Sequence, residues 1–365
     1  MKPKLSVILF ITLVIGIYFY VEKDTFDRFP ASNNTVSQNI FDLNKMKADK
    51  NNVIVVMFDG VRSQEFYQGT SWNLRKNIDK KDRGEIFYNT FESIDNKELL
   101  LYGSSGKNSS YRVGSILGKS ECSYQSIFLG YHNPKCAADC SCPPVERETY
   151  PQKIKRELDL NNHEVATITS WPWIKSAYSS VKNGAGYNNI GFGQADSNLF
   201  KNHSVYTDNK DFNNHQNKDK PKWWGRWDKY TWELSLEYLE YYRPRLMFIM
   251  LLDTDEWGHK ENYKSYVKAL RKTDERIAEL TKKVRSMKNY GENTTILFST
   301  DHGRNAGSSW MHHSTDPKRA KDIFLVTSPR YKSSQSVIDN CQKSHLGLRP
   351  TIEMLFGLKP EVPFG

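Results

Sequence analysis

From residue 52 onward, five short apolar runs rich in β-branched residues interrupt a polar chain: NVIVVMF (52–58), EVATIT (164–169), LMFIMLL (246–252), TTILFS (294–299) and DIFLVT (322–327). They are continuous runs rather than alternations, so each predicts a strand buried on both faces. Strands of that kind belong to an α/β fold, a mostly parallel central sheet flanked by helices on both faces. Between His259 and Met287 the period changes. Tyr263, Tyr266, Val267, Leu270, Ile277, Leu280 and Val284 recur at steps of three and four, which predicts one long amphipathic helix. Asp274 falls on its apolar side, where a polar contact to a neighbouring element is expected rather than a ligand role. From Gly184 to Trp232 no clear period is visible, and the segment carries KPKWWGRWDKYTW. Such a stretch could stack bases; the preferred expectation is a solvated insertion, within 170–232, that packs its indoles on the core.

The N-terminus follows a different pattern. Lys2 and Lys4 precede 17 residues without a charge, Leu5 to Val21. As a helix this run would extend roughly 25 Å, near the lower limit for crossing a bilayer. It ends in bulky residues rather than the small ones of a cleavage site. The expectation is an uncleaved signal anchor over 1–21, a polar tether over 22–50 and a folded domain over 51–365 on the non-cytoplasmic side, in the periplasm or a secretory lumen. A cleaved signal and a secreted protein are the alternative.

Composition narrows the class. With 38% hydrophobic and 26% charged residues the chain is neither disordered nor a polytopic membrane protein. Its 52 Lys and Arg outweigh 42 Asp and Glu, and the net +10 favours anionic partners such as phosphate esters, nucleic acid or lipid headgroups. Cys122, Cys136, Cys140, Cys142 and Cys341 would lie where disulfides form. The C-x3-C-x-C cluster lacks the second knuckle of a zinc ribbon, so loop disulfides are expected, with at least one thiol left over. Asn33, Asn108, Asn202 and Asn293 begin N-x-S/T triplets, most of them expected by chance in so Asn-rich a chain.

Three of the apolar runs lead into acidic residues: Asp59 after the first, Asp255 and His259 after the third, Asp301 and His302 after the fourth. In an open α/β sheet ligands bind beyond the carboxyl ends of the strands, so the three clusters are expected to converge on one edge. Asp and His without Cys suit zinc, manganese or iron better than calcium or magnesium. Two such ions side by side form a clamp for in-line displacement at phosphorus. Taken singly, Asp59-Gly60 or Asp301-His302-Gly303 would read as a turn.

These motifs resemble the alkaline phosphatase superfamily, in particular its nucleotide pyrophosphatase/phosphodiesterase-like branch. The likeness covers most of 52–360: the DG after the first strand, D-x-x-G-H at Asp255–His259, T-D-H-G at Thr300–Gly303, a later histidine, and the closing LGLRPTIEMLFGLKPEVP. It implies a nucleophile at a helix start ten residues before a closing glycine, which here is Ser120 before Gly130. Ser120 is followed by Glu121-Cys122 where the family has an apolar residue and proline, and Ser104, Ser105, Ser109 and Ser110 are rivals. The likeness further implies one ion on Asp255, His259 and a late histidine, and a second on Asp59, Asp301, His302 and Ser120. The late histidine is His313 by its place before Ser314. His312 is a weak candidate for substrate contact, and Lys119, Arg62 and Arg304 could steer an anion. The remaining histidines, His132, His163, His203, His215 and His345, match no ligand position.

The implied activity is metal-dependent hydrolysis of phosphate esters, diester or pyrophosphate before monoester, through a phosphoseryl intermediate on a small-molecule or headgroup substrate. Two divalent ions are implied, zinc first, with manganese or iron as alternatives. Transfer of a phosphoryl headgroup to an acceptor uses the same intermediate and is the alternative; a membrane-tethered binder that has lost activity is a third. Sulfatase chemistry is disfavoured because Tyr124 stands where the formylglycine motif has arginine. Nucleic acid is not an expected partner, and oligomeric state is not legible.

Overall fold

The computed structural model describes residues 51–363 except 72, 75–79, 104–110, 182–183, 222–224, 314–319 and 329–343. The expected anchor and tether, Ser104, Ser105, Ser109, Ser110, Trp223, Trp224 and Cys341 lie outside the described residues.

Seven strands form one sheet: β1 (Asn52–Phe58), β2 (Leu100–Tyr102), β3 (Val165–Thr169), β4 (Tyr187–Ile190), β5 (Leu246–Leu251), β6 (Thr294–Thr300) and β7 (Leu325–Thr327), in the order β2-β7-β6-β1-β5-β3-β4. Strands β6, β1, β5, β3 and β4 run parallel, while β7 is antiparallel to both β6 and β2. Every residue of β1, β3, β5 and β6 is buried, because helices cover both faces and leave no wet side on which a polar alternation could survive. Four of the apolar runs are strands over nearly their whole length, and of DIFLVT the last three residues, Leu325–Thr327, are. Two strands carry no comparable signal: β2 is three half-buried residues, and β4 reads YNNI.

The helices around the sheet include α1 (Tyr88–Asp95), α2 (Ser120–Leu129), α3 (Asp228–Tyr242), α4 (Asp253–His259), α5 (Tyr263–Ser286) and α6 (Leu348–Leu355). Helix α5 is the long amphipathic helix, with all seven of its predicted apolar residues buried. Asp274 on its inner side accepts from the backbone and side chains of Asn89 and Thr90 at the start of α1, the expected polar contact between elements.

The 170–232 segment is more ordered than its sequence suggests, holding β4 and a helix over Asn209–Lys218. Among its described residues, Trp232 is buried, Trp227 packs against the core, and Phe200, Tyr206, Phe212 and Tyr230 form one ring cluster, whereas Trp173 is exposed. The Trp227 and Trp232 indoles thus pack on the core as expected. Asp228, at the start of α3, accepts from the amides of Leu252 and Asp253, so the insertion also holds the turn that begins α4.

Candidate metal centre

Parallel register brings the strand ends together. Phe58 of β1 pairs with Leu251 of β5 on one side and Thr300 of β6 on the other, so Asp59, the start of α4 and Asp301 emerge at the same level. Helical spacing then places Asp255 and His259 four residues apart on one face of α4. Helix α2 brings Ser120 to this edge at its N-terminus, where the first backbone N–H groups have no partner within the helix.

Two donor clusters result. In the first, His259 Nε2 lies 3.0 Å from Asp255 Oδ2 and 3.1 Å from His313 Nε2. In the second, Ser120 Oγ lies 3.3 Å from Asp59 Oδ1 and 3.1 Å from His302 Nε2, and His302 Nε2 lies 3.4 Å from both Asp59 Oδ1 and Asp301 Oδ2. Donors about 2.0–2.2 Å from a shared tetrahedral ion sit roughly 3.3 Å apart, so both spacings fit metal polyhedra. The His302 and His313 rings stack at 4.1 Å and join the clusters; geometrically His302 could serve Asp255 and His313 as well.

Three features prepare these donors for a cation. His302 Nδ1 donates to the Gly303 carbonyl at 2.8 Å and His313 Nδ1 to the Gly118 carbonyl at 2.7 Å, which leaves the Nε2 lone pair of each free. Asp301 Oδ1 accepts from the amides of Gly60 and His302. Its Oδ2 is buried without a hydrogen-bond partner among the described residues. An orphaned carboxylate oxygen in a dry site is costly unless a proton or a cation meets it.

Electrostatics separate the clusters. Burial, then the charge of Asp301 and of Asp255, pushes the Asp59 carboxyl well above the usual range; burial and Asp255 do the same to Asp301. Burial would also raise Asp255, yet the Arg304 guanidinium, with His259, holds it well below the usual range. Asp255 in turn lifts His259, while burial lowers His302 and brings His313 to about 4.

A cavity of about 520 Å³ opens over the clusters, lined by Ser120, Asp255, His259 and His313 and walled by Lys119, Glu121, Asp139, Trp171 and Glu256. Lys119 lines it, with Nζ donating to the Asp139 carbonyl at 2.8 Å. The other anion-steering expectations are corrected. Arg62 is buried in a bidentate pair with Glu65, and Arg304 is buried against Asp255, so both answer an internal acid rather than a ligand. His312 is exposed and does not line the cavity. His345 is fully buried.

One residue of the site was not singled out as functional from sequence. Tyr124, one turn after Ser120 on α2, donates its hydroxyl to Asp59 Oδ2 at 3.3 Å and packs against Trp171 and Phe248. Its four-residue offset from the nucleophile position was the available signal. The cysteines next to Ser120 form Cys122–Cys140 and Cys136–Cys142 disulfides, so they offer no thiolates to a metal.

Comparison with known proteins identifies the family and the fold. A family model described as the Metalloenzyme superfamily matches residues 71–360. A protein of the alkaline phosphatase superfamily from Vibrio parahaemolyticus superposes with a TM-score of 0.53 at 10% identity, covering 86% of this chain and 68% of that one. The soluble domain of lipooligosaccharide phosphoethanolamine transferase A from Neisseria meningitidis gives 0.51 at 12%, covering 84% and 88%. Lipoteichoic acid synthase LtaP from Listeria monocytogenes gives 0.50 at 12%, covering 88% and 79%. With the family model spanning well over half of the sequence and the fold shared with these structures, the chain belongs to the metalloenzyme superfamily, whose fold is that of the alkaline phosphatases.

Proposed function

We propose that the protein is a metal-dependent hydrolase of phosphate esters with Ser120 as its nucleophile. The observation that carries this reading is the buried, unpartnered Asp301 Oδ2 beside Asp59, His302 and Ser120, a place that calls for a cation. Asp59, Asp301, His302 and Ser120 would hold one ion, and Asp255, His259 and His313 the other. The nitrogen and oxygen donors favour zinc, with manganese or iron as alternatives. When bound, such ions lower the pKa of a hydroxyl or water and neutralise charge on phosphoryl oxygens.

The chain supplies the rest. Ser120 Oγ sits where a phosphoryl group would meet the free N–H groups of α2, which orient its non-bridging oxygens. Ser120 gives up its hydroxyl proton, and a bond from Oγ to phosphorus forms as the bond from phosphorus to the leaving oxygen breaks; the leaving oxygen takes up a proton from solvent and a phosphoseryl intermediate remains. Water then attacks phosphorus, and Oγ departs to regenerate serine. The two disulfides support an oxidising compartment, in keeping with the charge-free Leu5–Val21 segment acting as an anchor. Among the described residues no helix is long and apolar enough to cross a membrane.

A second reading, transfer of the phosphoryl headgroup to an acceptor hydroxyl, draws on the cavity wall. Glu121, Glu256 and Trp171 would suit an ammonium-bearing headgroup of the kind named for the phosphoethanolamine transferase of shared fold.

The test is hydrolysis of p-nitrophenyl phosphate beside bis-p-nitrophenyl phosphate by the purified chain, after chelation and re-addition of zinc or manganese. Metal-restored turnover of one ester, absent in Ser120→Ala, is expected. Full metal-dependent turnover in that variant would sink the serine mechanism. Bound metal with neither ester cleaved would favour transfer.

A further inference from the structure

Arg304 follows the Asp301-His302-Gly303 segment directly, and its side chain is wholly buried. Its guanidinium reaches three parts of the site at once. Nη1 donates to the Asp255 carboxylate through Oδ1 and to the Asp255 carbonyl at 3.3 Å; Nε donates to the Trp310 carbonyl at 3.0 Å; Nη2 donates to the Met311 carbonyl. Trp310 and Met311 lead directly into His313. One planar group therefore ties the end of β6 to the helix bearing Asp255 and His259 and to the loop bearing His313.

The surroundings are shaped for this group. A Cβ on Gly258 would stand 2.4 Å from Arg304 Cζ, and one on Gly60 would stand 2.3 Å from Asp255 Oδ1 and 3.0 Å from Arg304 Nη1. The glycine inside Asp255–His259 is thus required by the guanidinium beside it. Arg304 occupies Oδ1, which lies 4.0 Å from His313 Nε2, and leaves Oδ2, 3.0 Å from His259 Nε2, free of the guanidinium. A lysine could not reproduce this, because the four acceptors are spread along the three nitrogens of the planar fork and a single ammonium nitrogen cannot reach them all.

We propose that Arg304 is a positioning residue for the Asp255–His259–His313 ion site, selecting the carboxylate oxygen that faces the ion and fixing the His313 loop. The inference rests on the two-ion reading above. It also gives the guanidinium a task other than binding substrate.

The test uses the full chain, stripped by chelation and titrated with zinc against a chromophoric chelator, with cobalt absorption as a second readout of the ligand field. Wild type is expected to take up two ions. Arg304→Lys should weaken one of the two steps by about 10- to 100-fold and leave the other unchanged. Gly258→Ala, which keeps the guanidinium but crowds it, should weaken the same step, and it carries the test if Arg304→Lys shows no cooperative melt. Arg62→Lys, altering a buried guanidinium that touches no proposed ligand, should leave both steps as they are. Unchanged binding in Arg304→Lys, equal weakening of both steps, or tighter binding, as expected if the guanidinium merely competes for Asp255, would each overturn the proposal. A wild type that binds no zinc ends the two-ion reading and this inference with it; a two-ion wild type with an indifferent variant ends only the inference.

Discussion

The two halves of the site hold the same residue types in opposite electrostatic states. Around Asp59 and Asp301 the carboxyls are fully buried and raised, and His302 is lowered. Around Asp255 the carboxyl is held low and His259 is raised, with the His259 side chain 45% exposed at the cavity. The difference traces to one cation. Arg304 lies against Asp255, whereas Asp301 keeps an oxygen that no hydrogen-bond donor among the described residues meets. The proximity of a positive charge, not the residue type, decides which carboxylate is at ease in the metal-free protein.

That contrast can be broken in several ways, the largest being catalytic. Ser120→Ala should lower metal-dependent turnover roughly 10³-fold or more while metal uptake persists, since it removes the nucleophile and only one donor of several. Steady-state kinetics beside metal analysis would read this.

Next in size is a difference of sign. Asp255→Asn leaves the Arg304 charge buried without its partner and should destabilise the metal-free protein by about 3–5 kcal/mol. Asp301→Asn should do the reverse at neutral pH. A carboxyl whose folded pKa is raised favours folding below its unfolded pKa and loses that contribution as pH rises, so a neutral amide relieves the penalty. Urea unfolding in chelator at pH 7 compares them, and equal signs would refute the contrast. Added metal sharpens it further: at a hundredfold excess over Kd, wild type should gain about 2.7 kcal/mol per site, and Asp301→Asn should forfeit most of one such gain.

Smaller effects probe the supports. Tyr124→Phe keeps the ring against Trp171 and Phe248 but removes the donor to Asp59, and should weaken metal binding on the Ser120 side by about 1–2 kcal/mol with little change at the other site. Chelator competition resolves the two steps. The last is a pH slope. Burial lowers His345 from 6.5 to about 3, so its neutral form stabilises the fold above pH 6.5 and that contribution fades as pH falls toward 3. In His345→Gln the fall in melting temperature over that interval should be shallower than in wild type.

The strands beneath both halves were legible because burial on two faces demands uninterrupted apolar residues, as in VIVVMF and LMFIML. Strands β2 and β4 were not, since three or four residues at a sheet margin need no such run. The eight proposed site residues, Asp59, Ser120, Asp255, His259, Asp301, His302 and His313 with the rim residue Lys119, meet at one sheet edge and its cavity. His312, by contrast, stays exposed outside the cavity. Arg62 and Arg304 were misread as anion-steering because a sequence shows a charge next to a motif but not whether an acid waits inside the fold.

Sequence by itself determined the parallel sheet, the acids at its strand ends, the long helix and the donor chemistry, all properties of local pattern and spacing. Tertiary structure alone decided the rest: the β6-β1-β5 order that makes three distant ends neighbours, the disulfide pairing, the Tyr124 bond to Asp59 and the task of Arg304. Each of these joins residues from separate stretches of chain, and a contact of that kind depends on how elements pack, which no local pattern records.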